Sequence, residues 1–238
     1  MFREFLENYL HLCSYSDYLE PFVLICIIIA LLTEIKFLKS NQSISSFFVY
    51  TCAAFILFFG TDISFTINYP VSNFFIEGFN ILFALLEYIV FWFYFRRVLS
   101  HPFSKKVTTL PIGLLIASII FYFYRGLSVG TTDVITKKLP DFIISFELLL
   151  LAIPCLVYYY KLLKNKPTNE LSERPSFWIV TGLFLYSITI IPSFIIASDL
   201  LQINKVLHHA AFAVHYILLG LLFLGITRAV LCKKPLET

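Results

Sequence analysis

Long apolar runs separated by short polar connectors dominate the chain from Pro21 to Cys232. The runs are continuous and lack the alternation of a barrel strand. Each is close to the roughly 20 residues that an α-helix needs to cross the hydrocarbon core of a bilayer. The pattern predicts seven helices at 20–38, 46–68, 73–96, 109–127, 140–163, 176–199 and 205–231. Ser-Asn-Gln-Ser at 40–43, Asn-Tyr-Pro at 68–70 and Asn-Lys-Pro-Thr-Asn at 165–169 punctuate the runs as loops do. Residues 1–238 therefore read as one all-α integral membrane domain, a seven-transmembrane-helix bundle with short connections. Neither half of the chain aligns on the other. Pro154 and Pro192 fall inside helices 5 and 6, where a ring without an N–H is expected to kink them.

Composition strengthens this picture. Hydrophobic residues make up 59% and charged residues 14%, against roughly 45–50% and 25% in soluble domains. Secreted, disordered, coiled-coil and nucleic-acid-binding classes are excluded, and the partner on every side is a lipid bilayer. The five cysteines are scattered with no Cys-x-x-Cys pair, which argues against a disulfide framework or a cysteine metal site. Before the first run one Arg stands against four acids, the wrong sign for a cleaved leader, so helix 1 is expected to stay in the mature chain.

The net charge of +3 says less than its distribution. With the N-terminus outside, 13 of the 18 Lys and Arg fall on inner segments, among them Lys36, Arg96, Arg97, Lys161, Arg174 and Arg228. Arg3, Arg125, Lys137, Lys138 and Lys205 fall outside. Cytoplasmic loops carry the excess of positive charge, so the bias predicts an N-terminus outside and a cytoplasmic C-terminus, in a plasma (inner) membrane. Interfacial aromatic belts are expected at Trp92 and Tyr94, at Tyr158-Tyr159-Tyr160, at Trp178, and at Tyr122 and Tyr124.

Ionisable side chains within spans cost about 2.5–3.5 kcal/mol on insertion scales and are functional candidates for that reason. They are Asp62, Glu77, Glu87, Glu147, Asp199, His208, His209 and His215, while Glu34 is expected to pair with Lys36 and Lys39. At 100° per residue, Glu77, Asn80, Ala84 and Glu87 share a stripe of helix 3. Asn204, His208 and His215 share a face of helix 7, with His209 a quarter turn away. Such stripes face the bundle interior. Asn80, Glu87, Glu147, His208 and His215 are the expected lining of an outward-facing cavity that binds a small ligand or a proton. The competing reading is that Glu87 stays protonated and bonds a neighbouring helix. Asp62, Glu77 and Asp199 are expected near interfacial water.

Catalytic readings fare worse. Zinc takes nitrogen or oxygen ligands at about 2.0–2.2 Å, and His208 and His215 lie roughly 10 Å apart along one helix. No histidine falls within helices 1 to 6. A membrane zinc hydrolase is therefore disfavoured, and neither a metal nor a cofactor is expected. No span carries the mid-helix lysine of a retinal protein. With eight glycines the chain is poor in the residues on which broken-helix transporters rely. No Walker loop, nucleophile elbow or kinase signature occurs, and an enzyme is not expected.

Glu87-Tyr88 in helix 3, followed by aromatic residues and Arg96-Arg97, forms one local pattern. Pro175-Ser176-Phe177-Trp178-Ile179-Val180-Thr181-Gly182, followed by Leu183-Phe184-Leu185-Tyr186, forms another. Together they resemble small, uncharacterised seven-helix bacterial inner-membrane proteins that are often associated with two-component sensor kinases. The resemblance implies seven spans and a bias toward sensing, with no reaction to carry over. On the residues themselves, Pro175 starts helix 6 without needing an N–H partner, and Gly182 permits a close helix contact. The expected function is a receptor-like or accessory membrane module read by a membrane or cytoplasmic protein partner. The alternatives are a small secondary transporter with an intramembrane Glu as proton site, and a structural membrane subunit.

Overall fold

The computed structural model describes residues 16–37, 47–57, 73–99, 102–128, 134–165, 171–203 and 205–232. These form seven α-helices: α1 Ser16–Phe37, α2 Phe47–Leu57, α3 Asn73–Val98, α4 Pro102–Ser128, α5 Val134–Asn165, α6 Pro175–Ile203 and α7 Lys205–Val230. A single 3₁₀ turn, Leu171–Glu173, precedes α6. The second half of expected helix 2, with Asp62, lies outside the described residues, as does Asn204.

Four helices contain stretches long and apolar enough to cross a membrane: Gly78–Val98, Lys138–Lys164, Pro175–Ile195 and Ala210–Val230. The architecture is that of a membrane protein. The helices overrun the apolar runs where polar residues continue the helical ladder. Thus α4 begins at Pro102 and not near 109, and α5 reaches from Val134 to Asn165. Proline at the first helical position gives up only an N–H that has no intrahelical partner, which accounts for Pro102 and Pro175 as first residues. α5 remains helical through Pro140 and Pro154, and α6 through Pro192, each proline leaving one ladder bond unmade.

α7 packs between α1 and α6, α6 continues onto α5, and α3, α4 and α5 pack against one another. α2 is held by α1 through Thr51 and by α3 and α7 through Tyr50. Outward faces are large apolar side chains such as Leu32, Ile56, Ile120 and Leu163. In lipid such residues gain nothing by moving inward, so association rests on close packing and hydrogen bonds. Gly182 and Gly225 provide the close packing. A Cβ at Gly182 would lie 3.3 Å from Leu222 Cα, and one at Gly225 would lie 3.0 Å from the Trp178 carbonyl oxygen. α6 and α7 therefore meet nearly backbone to backbone.

The aromatic belts are only partly as expected. Tyr94, Tyr122 and Tyr158 are buried between helices, whereas Tyr124 and Tyr160 are exposed. Residues two apart on a helix point about 200° apart, so each short aromatic run splits between core and surface. Tyr158 shares a hydrogen bond with Ser176 at 3.0 Å, and Tyr159 donates to Thr181 at 2.9 Å, tying α5 to α6. Both tryptophans stand beside arginines at helix ends. The Arg96 guanidinium lies 4.7 Å from the Trp92 ring, and Arg228 lies 5.7 Å from Trp178, whose Nε1 donates to the Ser172 carbonyl at 2.8 Å. The Lys161 ammonium donates to the Leu99 carbonyl just beyond the end of α3, where cations complement the exposed carbonyls.

Gly225→Leu is expected to lower stability by about 1–3 kcal/mol through overpacking, read as a lower midpoint of thermal unfolding in detergent. Gly113→Ala is the control: a Cβ there meets nothing within 4 Å, and the change leaves the midpoint unchanged or raises it.

Candidate functional site

Helix α3 presents Asn80, Ala84 and Glu87 on its inward side, as their spacing requires. Ala84 and Glu87 are buried and Asn80 is half-buried. Seven residues separate Asn80 from Glu87, about 10 Å along the axis, so Asn80 marks one end of the stripe and Glu87 its depth. The side chains of Glu77, Asp199, His208 and His209 lie outside the described residues. His208 has only its position on α7, two turns before His215.

Glu87 is bound from α2: the Tyr50 hydroxyl donates to its Oε1 at 3.0 Å. From α5, Glu147 comes within electrostatic reach of Glu87. It is fully buried, and among the described residues neither of its carboxyl oxygens has a hydrogen-bond partner. Both carboxyls act electrostatically on Tyr186 of α6, and Glu147 acts on Tyr88 of α3. Three long helices thus bring two acids and two phenols within electrostatic range of one another. No Lys or Arg among the described residues acts on either acid.

His215 of α7 joins this group through aromatic contact. Its ring centroid is 5.6 Å from that of Tyr186 and 5.5 Å from that of Phe194. Its Nδ1 is buried without a hydrogen-bond partner among the described residues. A small cleft between α6 and α7 opens onto it, lined by Ser193, Phe194, Ala211, Phe212 and His215, with room for about one water molecule. Of the expected lining residues, Glu87 and Glu147 lie within electrostatic range of each other and of Tyr186, whose ring meets His215. Asn80 stands apart along α3.

The opposite flank is closed by rings. Tyr50 stacks on Phe83 and on Phe223 at 5.5 and 5.6 Å and meets Phe91 edge-on, and Phe91 in turn meets Phe47. Beyond this layer lies Glu34, which does not pair with Lys36; Lys39 lies outside the described residues. Glu34 is fully buried and its Oε1 accepts from Thr51 Oγ1 at 3.2 Å, while Oε2 has no partner among the described residues. Lys36 is exposed on the other side of the helix. Two residues on a helix are about 200° apart, so Glu34 and Lys36 never faced each other. Tyr50 and Thr51 were not singled out from the sequence, and Tyr186 entered only as the end of the pattern that follows Gly182. Each is an ordinary residue in an apolar run, and only the partner across the helix interface makes it part of a polar group.

Glu87, Glu147 and His215 are the proton-carrying side chains that the described residues place in this part of the interior. Among the described residues no three His, Cys, Asp or Glu side chains come together to hold a metal.

Removing the Tyr50 hydroxyl leaves a buried carboxyl without its donor. Tyr50→Phe is expected to cost about 1–3 kcal/mol, measured by reversible unfolding in detergent. Combined with Glu87→Leu, the two losses are non-additive, because both changes remove the same bond.

No protein-family model matches the chain, and neither a curated protein nor a solved structure matches it.

Proposed function

We propose that this chain is a non-enzymatic, receptor-like or accessory inner-membrane protein that binds a proton at the Glu87–Glu147 pair. Its seven helices all cross the bilayer, with the N-terminus outside and the C-terminus in the cytoplasm, as the Lys and Arg distribution requires. The observation that carries the reading is Glu147: an acid fully buried within electrostatic range of another acid, with no hydrogen bond among the described residues. A buried ionisable group that forms no bond contributes nothing to packing that an apolar residue would not contribute better. Its remaining property is that it takes up and releases a proton. Two carboxylates cannot both be charged in apolar surroundings at low cost, so proton occupancy changes the repulsion between α3 and α5. A partner at the basic inner loops reads the resulting shift in helix packing.

Sensing is favoured over transport by the surroundings of the pair. A transporter exposes its site to each side in turn, whereas the Tyr50, Phe83, Phe91 and Phe223 rings cover one flank. Transport by the same carboxyls predicts pH-driven solute uptake in proteoliposomes that Glu87→Gln abolishes.

Infrared difference spectra between acid and alkaline samples should contain a protonated-carboxyl band that Glu147→Gln or Glu87→Gln removes. Glu147→Met should meanwhile unfold no more easily than the parent protein. Absence of the band, together with destabilisation by all three changes, would assign the pair to packing alone.

The topology is checked separately in a cysteine-free background. A cysteine replacing Lys138 should react with an impermeant maleimide from outside. One replacing Lys164 should react only after the membrane is permeabilised. The reverse pattern overturns the orientation.

A further inference from the structure

Thr51 on α2 makes two contacts through one hydroxyl. Its Oγ1 lies 2.9 Å from the Phe47 carbonyl oxygen of its own helix and 3.2 Å from Oε1 of Glu34 in the last turn of α1. A hydroxyl has one proton to donate and two lone pairs that accept. The Phe47 carbonyl can only accept, so that contact needs the Thr51 proton. It is the shorter of the two. Thr33, Ser118, Ser145 and Thr227 likewise give their hydroxyl protons to the carbonyl four residues back, at 2.7, 2.9, 2.7 and 2.9 Å. With the Thr51 proton engaged there, the contact to Glu34 holds a proton only if the carboxyl supplies it.

The surroundings of Glu34 agree with this count. The side chain is fully buried, and Oε2 has no hydrogen-bond partner among the described residues. An ionised carboxylate would set one oxygen against the hydroxyl lone pairs and leave the other bare, and a buried charge without partners is costly. Cys52 on α2 is the titratable group that faces Glu34. Tyr94 on α3 meets the neighbouring Phe47 ring at 5.2 Å. No Lys, Arg or His of α1, α3 or α7 among the described residues acts on the carboxyl.

From the hydrogen-bond geometry we infer that Glu34 and Thr51 form a second proton-binding site, separate from the Glu87–Glu147 pair, and that it holds its proton at neutral pH. The proton sits on Oε1 and is donated to Thr51 Oγ1, whose own proton goes to the Phe47 carbonyl. At alkaline pH hydroxide takes the carboxyl proton, leaving water and a carboxylate. The Thr51 hydroxyl then turns, and its proton leaves the Phe47 carbonyl for Oε1. Donation from Thr51 to Glu34 and donation from Glu34 to Thr51 are thus two settings of one contact. The first belongs to the charged acid and the second to the neutral one. Rotation of one hydroxyl couples the charge on α1 to the start of α2. The site stands whether or not the Glu87–Glu147 pair binds a proton.

The test is the infrared carbonyl stretch of protonated carboxyls, identified by its downward shift in D2O, on protein in lipid nanodiscs at neutral pH. Subtracting the Glu34→Gln spectrum from that of the parent should leave the band of a single protonated carboxyl. Thr51→Val, which keeps the shape and removes the acceptor, should retain that band and move it to higher wavenumber. Thr51→Ser should return it to its place. The same Glu34→Gln difference, taken in Glu87→Gln/Glu147→Gln protein, should be unchanged. A featureless difference means that Glu34 is ionised and overturns the proposal. Should Glu34→Gln not fold, the parent-minus-Thr51→Val difference decides: a shifted carboxyl band supports the site and a flat trace overturns it. A band that disappears once the pair is removed would overturn the separation of the two sites.

Discussion

The hydrogen bond from Tyr50 to Glu87 sits where α2, α3 and α7 meet, and much of the interior is arranged around it. In hydrocarbon a polar group without a partner costs several kcal/mol, so a carboxyl at this depth dictates what stands opposite. Tyr50 supplies the donor, and its ring stacks on Phe223 of α7. One side chain thereby ties together three helices whose apolar surfaces have no preference for one another over lipid. Thr51, the next residue, repeats the device toward α1 by donating to Glu34. The short helix α2 is thus a polar clasp in an apolar bundle.

Against that rule Glu147 is an exception. It enters the same space from α5 and finds a second acid where a donor is needed. The remainder of the fold tolerates this because α5 is secured elsewhere, by the Tyr158–Ser176 and Tyr159–Thr181 bonds to α6 and by Lys161 on the Leu99 carbonyl. The close approach of α6 and α7 at Gly182 and Gly225 gives the neighbouring pair similar independence. A bundle held at several separate points can keep one frustrated group within it, and such a group is where a small chemical change moves the packing most.

How much of this was legible without coordinates depends on how local each signal is. Apolar run length determined the helical class and the number of helices, because every backbone group in hydrocarbon must bond within its own segment. Periodicity placed Asn80, Ala84 and Glu87 on one inward stripe and marked Glu147 and His215 as buried polar groups, since a single helix sets those relations. Lys and Arg counts supplied an orientation. Sequence spacing failed for Glu34, where nearness in number to Lys36 concealed opposite faces of the helix, and for Tyr94, Tyr122 and Tyr158, whose aromatic runs divide between core and lipid. Only tertiary structure decided that Glu87 and Glu147 come within electrostatic range, that Tyr50 and Thr51 answer Glu87 and Glu34, and that Tyr186 meets His215. Those relations join residues tens of positions apart, and they depend on helix packing, which no pattern within one helix encodes.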